Sequence, residues 1–208
     1  MISALEALGR LREGNRRFVA DVGRRPRSSG GRRIELSLDQ NPFAIILGCS
    51  DARVPAELVF DQGLGDLFVI RVAGNIVAPS QVGSVEFAAS RFGTRLVVVL
   101  GHTRCGAIQA TIEELKQPAD HQSLNLRSIV DRVRPSVEGL LRTELRNDPE
   151  ALAREAVRSN VRASVDHLRH GSAILEQFGQ TDGLMVVGAE YSLETGVVEF
   201  LDYSTAPM

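Results

Sequence analysis

The segment Leu96-Val97-Val98-Val99-Leu100-Gly101-His102-Thr103-Arg104-Cys105-Gly106 passes from an uninterrupted apolar run, through a glycine, to a histidine and a cysteine, and then into a helical pattern from Gly106 to Leu115. Short Val/Ile/Leu runs bounded by glycine have the composition of strands buried on both faces, and helix-length segments between them supply the crossovers of a parallel sheet. The same order recurs at Phe43–Leu47, which runs into Gly48-Cys49-Ser50-Asp51-Ala52-Arg53, and further runs stand at Leu67–Val72 and Leu184–Val187. The pattern predicts an α/β fold: a single domain over residues 1–208, mainly parallel β-sheet flanked by helices. Val197–Leu201 follows the turn-like Leu193-Glu194-Thr195-Gly196, which predicts an antiparallel strand near the C-terminus.

Outside this alternating region, Leu5, Leu8, Leu11 and Phe18 recur at helical spacing among Arg10, Arg12, Glu13, Arg16 and Arg17, an amphipathic helix with a charged outer face. Such a helix can pack on its own domain or on a partner. From Asp21 to Gly31 the chain turns to Gly, Arg, Pro and Ser, so residues 1–31 read as a helical arm followed by a surface loop. Between Gln117 and Gly179 only helical segments are expected, with breaks at Pro135 and Pro149.

Composition narrows the function classes. The chain of 208 residues carries 24 Lys+Arg against 26 Asp+Glu, a net charge of −2, and so lacks the basic surplus that phosphate contacts require. Its 43% hydrophobic and 24% charged content is that of a globular protein. The longest apolar runs are about five residues, where a membrane span needs about twenty. Met1–Arg10 has neither the basic start nor the apolar core of a secretion signal, which points to the cytoplasm. Two cysteines, Cys49 and Cys105, are too few for a disulfide framework, so free thiols are expected. They serve either as small buried hydrophobes or as chemistry.

Their positions favour chemistry. Cys49 and His102 each follow a strand and a glycine, at the carboxyl edge of one parallel sheet, where ligands bind in open α/β folds. Cys49, His102 and Cys105 can therefore converge. Two thiolates and one imidazole suit Zn²⁺, and three protein ligands leave a fourth position open, as in catalytic sites. A fourth protein ligand is available only from Asp51 or from His121, His167 and His170, with Asp51 the nearer in sequence. Cys105 precedes the helix that begins at Gly106, where the free amides and the dipole favour an anionic sulfur, and the Gly106 amide can face a substrate oxygen. Asp51 and Arg53 can form a bidentate pair that keeps the carboxylate ionised and oriented. Such a pair accepts a hydrogen bond from a metal-bound nucleophile, or merely staples its loop.

At these residues the sequence resembles the β-class carbonic anhydrases. The resemblance is carried by Cys49-Ser50-Asp51-Ala52-Arg53-Val54-Pro55, Phe60-Asp61-Gln62-Gly63-Leu64-Gly65-Asp66-Leu67-Phe68-Val69, Arg71-Val72-Ala73-Gly74-Asn75, Gly83-Ser84-Val85-Glu86-Phe87 and Gly101-His102-Thr103-Arg104-Cys105-Gly106-Ala107, and extends in weaker form from Leu5 to Leu201. It implies zinc on Cys49, His102 and Cys105, an Asp51–Arg53 dyad, and reversible hydration of carbon dioxide to bicarbonate and a proton by zinc-bound hydroxide. In a closed state Asp51 becomes the fourth ligand. The resemblance also implies a homodimer or a dimer of dimers, with the N-terminal helix packing on a partner subunit. Gln40 looks like the family's substrate-contacting glutamine, and Phe68, Ala73 and Phe87 look like its apolar pocket, with Gln40 and Phe87 coming from the other subunit.

Two positions depart from the family pattern. Ala52 stands where most members have Ser. Ile46 stands where members with an allosteric bicarbonate pocket have Trp, and the chain contains no Trp. The alternative readings are a carbonyl sulfide or carbon disulfide hydrolase on the same zinc scaffold, and a non-catalytic, zinc-stabilised bicarbonate sensor. A redox pair of Cys49 and Cys105 lacks the Cys-x-x-Cys motif.

Overall fold

The computed structural model describes residues 2–23, 30–117 and 123–201. Five strands, β1 (Ala44–Gly48), β2 (Leu67–Arg71), β3 (Leu96–His102), β4 (Met185–Tyr191) and β5 (Val198–Leu201), form one sheet in the order β2-β1-β3-β4-β5. The first four are mutually parallel and β5 runs antiparallel to β4. The single α/β domain with an antiparallel C-terminal strand is the fold read from the sequence. Every residue of β1 and β3 is buried, which accounts for their unbroken apolar composition.

Among the described residues, eight α-helices flank the sheet: α1 (Ala4–Val19), α2 (Gly30–Leu36), α3 (Ala56–Val59), α4 (Pro79–Arg91), α5 (Gly106–Lys116), α6 (Leu124–Glu138), α7 (Pro149–His170) and α8 (Ala173–Thr181). Strand alternation divides the core between two faces. Ile46, Val98, Leu100 and Val187 face α1 and α3, where Leu8, Leu11 and Phe60 meet them. Ile45, Leu47, Val97 and Val99 face α4, α7 and α8, against Val85, Val161, Val165, Leu168 and Leu175. A third cluster gathers Ile76, Ile108, Val133, Leu152 and Val157 around Cys49 and Cys105, so the thiols lie under the helical layer of α5, α6 and α7.

Of the two placements open to the N-terminal helix, the structure shows the one on its own chain. The Ser3 hydroxyl caps α1 by accepting from the Glu6 amide, and Ala4, Ala7, Leu8 and Leu11 are buried within the fold. Asn15 locks the far end by donating to the carbonyls of Val59 and Gly196 and accepting from the Val198 amide. The apolar stripe thus has its counterpart in α3 and the sheet of its own chain, and the partner contact implied by the resemblance would fall on the outer face of α1, where Leu5 is 58% exposed.

Three local expectations are corrected. Pro135 lies inside α6 rather than breaking it. Only three helical residues follow it and its ring is exposed, so the carbonyl it leaves unbonded can be met by water. Pro149, by contrast, opens α7 at its first position, behind an Asp148 cap that accepts from the Glu150 and Ala151 amides. Second, the loop expected to end at Gly31 gives way to α2 at Gly30, and its residues 24–29 lie outside the described ones, as does His121. Third, the run expected at Leu184–Val187 forms β4 over Met185–Tyr191, continuing past Val187 through Gly188, Ala189, Glu190 and Tyr191, because β3 and β5 pair it on both sides.

Candidate metal centre

Register brings the two halves of the site together. Gly48 pairs with Leu100, so Cys49, the first residue past β1, lies level with Gly101 and one residue below His102, the last residue of β3. Gly101 has a second role. A Cβ there would meet Val161 Cγ2 at 2.5 Å, so only glycine lets α7 lie against the strand end beside the histidine.

The ligand-capable atoms of Cys49, His102 and Cys105 all lie within 4.8 Å of one another, and all three residues are buried. The two sulfurs are 4.0 Å apart, far beyond a disulfide and close to the ~3.8 Å that two 2.3 Å zinc–sulfur bonds at a tetrahedral angle would span. His102 Nδ1 bonds to the Thr103 carbonyl at 2.9 Å, which requires the proton on Nδ1 and leaves Nε2 with a lone pair. Nε2 is fully buried and has no hydrogen-bond partner among the described residues. An orphaned, lone-pair nitrogen facing two thiols is what a metal ion would satisfy, and the donor set is one that zinc favours.

The charges within the cluster point the same way. The hydrogen bond from the Cys105 thiol pulls the Cys49 pKa well down, with His102 and the Gly74 amide adding to the effect against desolvation. The same shared proton and burial push Cys105 up. Burial alone would lower His102, but the adjacent negative charge of Cys49 outweighs it and raises its pKa. The cluster thus concentrates negative charge that a cation would offset.

Asp51 stands at the mouth of this cluster. Its Oδ1 accepts from the Arg53 backbone amide and Nε, both at 2.9 Å, and its Oδ2 accepts from Arg53 Nη2 at 2.7 Å. The Arg53 hydrogen bond holds the carboxyl well below the usual carboxylate range. Oδ2 is also 3.9 Å from His102 Nε2, so the carboxylate and the imidazole border one space.

Of the remaining sequence candidates, Ala73 and Gly106 lie at the cluster. Ala73 opens the 3-10 turn Ala73–Asn75, whose Gly74 amide donates to Cys49 Sγ at 3.4 Å. Gly106 is the first residue of α5, directly after Cys105, where the helix leaves its amide without an internal partner. The other three stand apart. Gln40 is exposed and precedes β1, whereas Cys49 follows it, so the strand separates them by about 16 Å at 3.3 Å per residue. Phe68, near the start of β2, and Phe87 pack with Phe92 at ring separations of 6.2, 6.0 and 5.6 Å, and Phe87 is 53% exposed. His167 and His170 are exposed on α7.

Several residues that hold the site were not singled out for it from the sequence. Arg71 staples the first ligand loop by donating from Nε to the Cys49 carbonyl and from Nη2 to the Asp51 carbonyl. Glu194, in the β4–β5 turn, accepts from the Thr103 hydroxyl and pairs with Arg104, whose φ is +55°. Asn160 and Ser164 on α7 reach the Ala73–Asn75 turn. Arg71 lies within a motif already quoted, but the other three contacts cross 85 residues or more and leave no local pattern.

Comparison with known proteins agrees with this geometry. The family model for carbonic anhydrase matches residues 44–198, most of the chain. Carbonic anhydrase 2 of Mycobacterium tuberculosis is 37% identical over 201 residues, covering 93% of this chain and 90% of that protein. A carbonic anhydrase of Mycolicibacterium smegmatis is 38% identical over 194 residues, covering 91% and 89%. Among solved structures, the β-carbonic anhydrase CafA of Aspergillus fumigatus superposes with a TM-score of 0.72 at 26% identity, over 84% of this chain and 82% of that one. A tetrameric β-carbonic anhydrase of Sordaria macrospora shares the fold with a TM-score of 0.74 at 23% identity, over 84% and 87%. The chain therefore belongs to the β-carbonic anhydrase family.

Proposed function

We propose that the protein is a zinc-dependent carbonic anhydrase, interconverting carbon dioxide and water with bicarbonate and a proton. The observation that carries this reading is the convergence of Cys49, His102 and Cys105 within 4.8 Å beside an ionised Asp51–Arg53 pair. Relatives named carbonic anhydrase that match the chain over nearly their whole length support it. Zinc held there would act as a Lewis acid that makes a water nucleophilic near neutral pH.

The chain's own residues supply the rest. Asp51, kept anionic by Arg53, accepts a hydrogen bond and cannot donate one, so it selects the orientation of a hydroxyl-bearing nucleophile and leaves its lone pair facing substrate. The Gly106 amide, at the N-terminus of α5, polarises a substrate oxygen in this reading. Ala73 offers a small apolar wall suited to an uncharged linear molecule.

In this reading Gln40 and Phe87 of a second copy of the chain complete the pocket, with Phe68 a further part of its apolar wall. Both Gln40 and the Phe68–Phe87 pair lie away from their own cluster, and Phe87, packed on Phe68 of the edge strand β2, leaves apolar surface exposed. A homodimer, or a pair of dimers, would cover that surface. No helix among the described residues is long and apolar enough to cross a membrane, and a cytoplasmic site is part of the proposal.

The competing hydrolase reading shares the zinc scaffold, so substrate decides. Parallel assays of purified protein on carbon dioxide and on carbonyl sulfide should give turnover dominated by carbon dioxide. Faster turnover of carbonyl sulfide would assign the site to hydrolysis instead.

A further inference from the structure

The turn that donates to Cys49 Sγ is held in an unusual conformation from behind. Gly74 has φ +70° and is followed by Asn75 at φ +42°, so two consecutive residues occupy the left-handed region, one of them not glycine. Asn75 also buries a side-chain nitrogen that has no partner among the described residues. Both features disfavour the turn on its own.

The compensation comes from one face of α7. Asn160 Nδ2 donates to the Gly74 carbonyl at 2.8 Å, and Ser164 Oγ, one helical turn on, donates to the Asn75 carbonyl at 3.1 Å. Both side chains are at least nine-tenths buried, at 3% and 5% exposure. The two carbonyls are thus fixed by neutral donors on a 22-residue helix, while the amide on the other side of the same turn points at a sulfur. α7 is itself seated against the sheet where Gly101 admits Val161, next to His102.

We propose that Asn160 and Ser164 are positioning residues for the metal centre, holding the Gly74 amide on the Cys49 sulfur. This rests on the reading of Cys49, His102 and Cys105 as metal ligands. The amide withdraws electron density from a ligating thiolate and fixes its direction, so loosening the turn changes both how strongly the sulfur donates and how long the metal stays.

The test uses the full chain loaded with zinc or with cobalt(II). Zinc release to a chromogenic chelator should be about tenfold or more faster in Asn160→Ala and Ser164→Ala, in line with losses at residues supporting metal ligands. The sulfur-to-cobalt charge-transfer band should move to lower energy, because a thiolate relieved of an N–H donor gives up charge more easily. Ser164→Thr, which keeps the hydroxyl, should restore both values. Ser164→Ala removes a single oxygen and keeps the test decisive if Asn160→Ala does not fold. Variants that lose only melting temperature, with wild-type release and spectrum, would overturn the proposal. A wild-type chain that takes up neither ion would overturn the metal reading, and this inference with it.

Discussion

Asp51 Oδ2 lies 2.7 Å from Arg53 Nη2 and 3.9 Å from His102 Nε2, so the carboxylate is gripped by a guanidinium while it borders the cluster's open side. The grip has a consequence for catalysis. With Arg53→Ala the carboxylate loses both its partner and its orientation, and is free to turn towards the ligands. Turnover should fall by about a hundredfold or more, within the range of oriented acid–base groups, while zinc content stays at wild-type level. Stopped-flow rates paired with metal analysis check this. Full activity in Arg53→Ala would show that the pair only staples its loop.

The two thiols act as one unit. Cys49→Ala and Cys105→Ala should each lose zinc and activity together, because two remaining protein ligands do not hold the ion and the chain contains no other cysteine. Metal-to-protein ratios of purified variants give the answer, and a variant retaining one zinc per chain would remove that cysteine from the ligand set.

Two thiolates cancel the charge of a zinc ion, whereas a three-histidine site leaves it at +2. Water at this centre should therefore be less acidic than at three-histidine zinc, where its pKa is about 7. The rate should climb through mildly alkaline pH, and a rate that is flat from mildly acidic to alkaline pH would contradict the assigned ligands.

Glu194 joins the β4–β5 turn to the segment that carries His102. Its pKa is lowered, chiefly by the hydrogen bond from the Thr103 hydroxyl, with the Arg104 charge contributing. A depressed carboxyl stabilises the fold above its unfolded pKa of about 4.3, and that stabilisation disappears as pH falls through the lower folded value. Glu194→Gln should thus melt below wild type at pH 7, and the two melting curves should converge as pH falls below the depressed folded value of the carboxyl. A gap unchanged at low pH would mean that the carboxylate charge is not involved.

How much of this was legible in the sequence follows from the kind of contact involved. β1 and β3 are buried on both faces, so their apolar runs announced them, and the residues at their carboxyl ends, Cys49 just past β1 and His102 closing β3, followed directly. The end of β4 did not announce itself, since Gly188 and Glu190 are there for α7 and Arg158: a Cβ at Gly188 would meet Val161 Cγ1 at 2.7 Å, and Glu190 pairs with Arg158 at 2.7 Å. Asp51 and Arg53 are two residues apart, and a pair that short can be read directly. Asn160 and Ser164 act on backbone carbonyls far away in the chain, and nothing in their neighbours marks them as more than core polar residues of a helix. The separation of Gln40 from Cys49, by contrast, was open to reading, since the run that forms β1 lies between them in the sequence.

The most direct test of the central claim is stopped-flow carbon dioxide hydration by the purified chain, run with zinc quantification, after chelation, and after zinc is restored. The account predicts about one zinc per chain, hydration well above the buffer rate, loss of both on chelation, and recovery of both on adding zinc. A chain that carries zinc on Cys49, His102 and Cys105 yet hydrates carbon dioxide no faster than buffer would contradict it.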